Sequence, residues 1–92
     1  MNELTIIYKI EKNKNKIKIF DEYFVKNNKE NCKIIIDEEE REICSELNIN
    51  EEMNNKDYII IKLIEKKIIT NMFSMFAECS CLISLPDISN WI

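Results

Sequence analysis

Residues 57–64 read DYIIIKLI, and this run decides the fold because it is the most apolar extended stretch in the chain. In a strand, Ile59, Ile61 and Leu63 share one face while Tyr58, Ile60 and Ile64 share the other. Apolar residues on both faces predict a central strand covered on both sides. The remaining elements are read outward from it.

Toward the N-terminus, period-2 alternation continues. In LTIIYKI (4–10), Leu4, Ile6, Tyr8 and Ile10 share one face, and Thr5, Ile7 and Lys9 the other. The following EKNKN (11–15) places Asn13 and Asn15 where glycine is common, because asparagine tolerates positive φ better than most residues with a Cβ. With Ile17 and Ile19 of KIKIF (16–20) on one face, the pair predicts a β-hairpin. DEYFVK (21–26) reads as a bent continuation of the second strand or a short third one, ahead of the polar loop KNNKEN (26–31). CKIII (32–36) is a strand, Asp37, Glu38, Glu39 and Glu40 make a charged turn, and EREIC (40–44) returns as a second hairpin. SELNINEEMNNKD (45–57) is a loop with one helical turn around 51–54.

Beyond Glu65, Lys66 and Lys67 the rhythm lengthens to about 3.6. Thr70 is placed to cap a short amphipathic helix carrying Met72, Met75 and Phe76 at i, i+3 and i+4, with Phe73 one step around. CLISL (81–85) is strand-like, with Leu82 and Leu85 facing inward, and Pro86 stops it because proline has no N–H for a ladder.

Composition bounds the function. Ninety-two residues hold one domain, 1–92. At 46% hydrophobic and 33% charged the chain is too apolar for disorder, and no apolar run nears the roughly 20 residues of a membrane span. The sequence has no histidine and no glycine. That excludes a histidine general base, a Cys/His zinc finger and the glycine-rich phosphate loops. An abundance of Ile, Asn and Lys resembles proteins of AT-rich genomes. The net charge of -4 is uneven: residues 1–36 carry eight Lys against five acids, residues 37–92 five bases against twelve acids. Nucleic acid is a poor partner for such a chain. The run Lys12, Lys14, Lys16 and Lys18 reads as a solvated hairpin edge rather than a phosphate strip. The N-terminal residues lack the pattern of a secretory signal, so a cytoplasmic location is the default expectation and Cys32, Cys44, Cys79 and Cys81 are expected as reduced thiols.

From Ile69 to Trp91 the string ITNMFSMFAECSCLISLPDISNW is similar to one unit of the BspA-like leucine-rich repeat, of about 26 residues, found in bacterial and protist surface proteins. Thr70, Asn71, Met72, Met75, Phe76, Cys79, Leu82, Ser84, Leu85, Pro86, Asp87, Ile88, Ser89 and Trp91 carry the likeness, and Cys81 departs from the small polar residue usual at its place. The resemblance implies a binding scaffold without catalytic residues or cofactor, with residues 1–68 as a β-rich cap for the repeat at 69–92, and it implies surface association. A repeat buries its apolar face only against neighbours, so a first unit needs such a cap. The fold class is therefore α+β and mostly β: two hairpins and a central strand, capped by one short helix and a leucine-rich-repeat-type strand.

Function follows as a protein–protein interaction module, taking a protein partner or a second copy through the C-terminal repeat edge, at Leu82, Ser84, Leu85, Trp91 and Ile92. Trp91 and Ile92 have no following repeat to cover them. The alternative is a small zinc or redox protein using Cys32, Cys44, Cys79 and Cys81. Cys79-Ser80-Cys81 lacks the spacing of paired C-x-x-C knuckles, so packed thiols are the favoured reading and no metal is assigned. The acids Asp37, Glu38, Glu39, Glu40 and Glu42 lack the spacing and glycine of a calcium loop and read as a solvated tip. Met72, Met75, Phe73 and Phe76 read as core rather than a pliable groove.

Overall fold

In the computed structural model, which describes residues 3–70 and 72–83, the apolar run forms β6 (Tyr58–Glu65). It pairs on one side with β1 (Glu3–Lys9) and on the other with β3 (Cys32–Ile36), and β4 (Glu39–Glu42) completes a four-stranded antiparallel sheet of order β1–β6–β3–β4. The α+β class and the central place of β6 are as the sequence predicts.

The partner of β1 is not. The expected first hairpin does not form: β2 (Lys16–Lys18) pairs instead with β5 (Glu46–Asn48) in a separate two-stranded sheet. The register gives the reason. Against β6, Leu4 stands opposite Leu63, Ile6 opposite Ile61 and Tyr8 opposite Ile59, so every inward side chain of β1 meets an inward one. The three residues of β2 offer a single apolar side chain, Ile17, for such pairing.

DEYFVK is a helix rather than a strand. In α1 (Glu22–Asn28) the Asp21 carboxylate accepts from the N–H groups of Tyr23 and Phe24 at 3.0 and 3.2 Å, and Phe24, Val25 and Asn28 face inward. The second hairpin forms as expected. Its two-residue loop, Asp37 and Glu38, has φ of 51° and 67°, the left-handed pair of a type I′ turn. Its return strand ends earlier than read, because Ile43 turns into the core. The helical turn in the following loop is α2 (Glu51–Asn54), capped by the Asn50 side chain on the Met53 N–H at 2.8 Å. After Thr70 the helix is only one 3₁₀ turn, Met72–Ser74, shorter than the amphipathic helix predicted.

One core joins these pieces. The inner faces of β1, β6 and β3 meet Ile17, Ile19, Phe20, Phe24, Val25, Leu47 and Met53, together with Met72, Met75 and Cys81 from the C-terminal part. Phe20 sits at the junction, its ring 5.6 Å from Phe24 and 5.9 Å from Phe76. The buried Tyr8 hydroxyl donates to the Ile19 carbonyl oxygen, tying the sheet to the chain leading into α1. Burial pushes its phenol well above the usual range, so it stays a donor.

Candidate functional site

Of the residues read as the partner-binding edge, Leu82 lies within the described part and is half-buried; Ser84, Leu85, Trp91 and Ile92 lie outside the described residues. Leu82 forms an antiparallel bridge with Tyr8. Lys9 N donates to the Cys81 carbonyl at 2.7 Å and Ile83 N to the Ile7 carbonyl at 3.1 Å. The short segment 81–83 therefore hydrogen-bonds to the Ile7–Lys9 end of β1's outer edge. At the opposite edge all of β4, Glu39-Glu40-Arg41-Glu42, is exposed, and such a charged strand discourages strand addition.

The four cysteines are free thiols in four different surroundings. Cys32 faces inward on β3 and donates to the Asn28 carbonyl at 3.5 Å; Cys79 donates to Ala77 O at 3.7 Å; Cys81 Sγ is 3.5 Å from Glu11 Oε1. Cys44 is half-buried after β4. Among the described residues no three His, Cys, Asp or Glu side chains are grouped to hold a metal ion. Burial pushes the Cys32 and Cys79 thiols up to about 11, and raises Cys44 and Cys81 as well. All four are protonated at neutral pH, the unreactive form of a thiol.

That shift has a sign. An acid whose folded pKa is raised stabilises the fold below its unfolded value, and the contribution is lost as pH climbs toward the folded value. The denaturation midpoint of the wild type is expected to fall more steeply between pH 9 and 11 than that of Cys32→Ala/Cys79→Ala. Parallel pH profiles would mean that these thiols are not buried.

The acidic tip is solvated, as read. Asp37, Glu38, Glu39, Glu40 and Glu42 are all exposed. The Lys33 ammonium beside Glu40 holds that carboxyl below its ordinary range, Arg41 Nε lies 3.6 Å from Glu39 and Lys56 Nζ 3.9 Å from Asp37. The lysine run lies on and ahead of β2, with Lys14 Nζ 2.8 Å from Glu11 and Lys18 Nζ 3.5 Å from Glu78. Met72 and Met75 are buried and Phe76 is half-buried, which makes them core.

The sequence reading missed a surface. The core lies on the Ile59, Ile61 and Leu63 side of β6, to which the second sheet, α1 and the C-terminal segment all contribute, and on the other face Ile64 is buried. On the other face Ile60 and Tyr58 are 55% and 58% exposed, beside Ile7 of β1 and Ile83 of the added segment. The pattern was visible, since Ile7, Tyr58 and Ile60 all sit at outward positions. What the sequence does not display is that Tyr58 and Ile60 stay more than half exposed there.

No family model, curated protein or solved structure matches this chain. Among the described residues no helix is long and apolar enough to cross a membrane.

Proposed function

We propose that this protein is a non-enzymatic protein-interaction module: residues 1–68 cap one leucine-rich-repeat-like unit at 69–92, and a partner is taken up through the edge carrying Leu82, Ser84, Leu85, Trp91 and Ile92. The observation that carries this reading is the way the start of the unit joins the cap. Met72, Met75 and Cys81 share the core of the strands, and 81–83 continues the sheet past β1. Packing of the described residues 72–83 against the N-terminal strands supports this reading, because a first repeat needs a cap on one side and offers its other side to a neighbour. The neutral, buried thiols and the lack of histidine argue in the same direction, since they remove the usual nucleophile and general base.

A tandem duplication tests it. A second copy of residues 69–92 joined after Ile92 is expected to raise the denaturation midpoint, because each added repeat contributes an interface with its neighbour. An unchanged midpoint, with the added segment open to proteolysis, would overturn the repeat reading.

A further inference from the structure

We draw no further inference here: the strongest candidate, the apolar patch of Ile7, Tyr58 and Ile60 on the outward face of the four-stranded sheet, carries nothing because nothing in the structure shows what covers it.

Discussion

Asn28→Asp is expected to destabilise the fold by about 3–5 kcal/mol, enough to unfold much of a domain of this size, although the two side chains have nearly the same shape. Asn28 is fully buried, the one polar side chain in that position among the described residues. Its Nδ2 donates to the carbonyls of Phe24 at 2.9 Å and Thr70 at 2.8 Å, and its Oδ1 accepts from Thr70 N at 2.8 Å and Asn31 Nδ2 at 2.9 Å. Both faces of the amide are satisfied, and together they lock the end of α1 to a residue 42 positions later. Aspartate has no N–H to offer, so two carbonyl oxygens would face a carboxylate oxygen in a buried site. Acidification should recover part of the loss, because a protonated carboxyl regains one donor. Urea denaturation followed by circular dichroism measures the effect. A loss below about 1 kcal/mol, within the range of an ordinary surface substitution, would show that Asn28 is not buried in this network.

The second large effect is expected at Phe20, where Phe20→Ala should cost about 3–5 kcal/mol and Phe20→Leu less than about 1.5 kcal/mol. Phe20 is fully buried between Phe24 of α1 and Phe76 of the C-terminal segment. Its neighbour Asp21 donates from its backbone N–H to the Met75 carbonyl at 2.8 Å, and Phe20 N–H itself points to the Ser45 carbonyl at 3.4 Å. A cavity here loosens three elements at once. Hydrogen exchange should therefore show the amides of Asp21 and Ile19 losing protection together, and protection that survives at Asp21 would refute the idea that one ring couples them.

Much of this was legible in the chain. β6 is legible because its length and apolarity leave no better place than a sheet interior, and the β3–β4 hairpin because its turn is local and acidic. α2 falls where a capping Asn50 precedes two acids. The errors share one cause, which is that sequence distance hides spatial partners. β1 reads as half of a hairpin because β2 is the next extended segment, whereas its inward side chains match those of a strand that begins some 50 residues later. α1 was missed although Asp21, Glu22 and Lys26 carry the cap and end-charge signals, because Tyr23 and Phe24 favour strands and pulled the reading that way. The outward apolar positions of β6 are legible, but apolar residues on both faces do not tell a strand covered twice from one whose Tyr58 and Ile60 stay exposed. The hub at Asn28 has no sequence signature, since an asparagine in a polar loop says nothing about burial.

The placement of β6 also orders events in time. Glu3 pairs with Ile64 and Cys32 with Glu65, so both long pairings of the main sheet meet on a strand that closes at residue 65. During synthesis, the β3–β4 hairpin is the one part of that sheet able to form from neighbouring residues, and β1 must wait with its ladder groups unpaired until β6 leaves the ribosome. A strand whose partner emerges some fifty residues later spends its early life with an apolar edge unpaired, and the lysines crowded between β1 and β2 stand beside that edge.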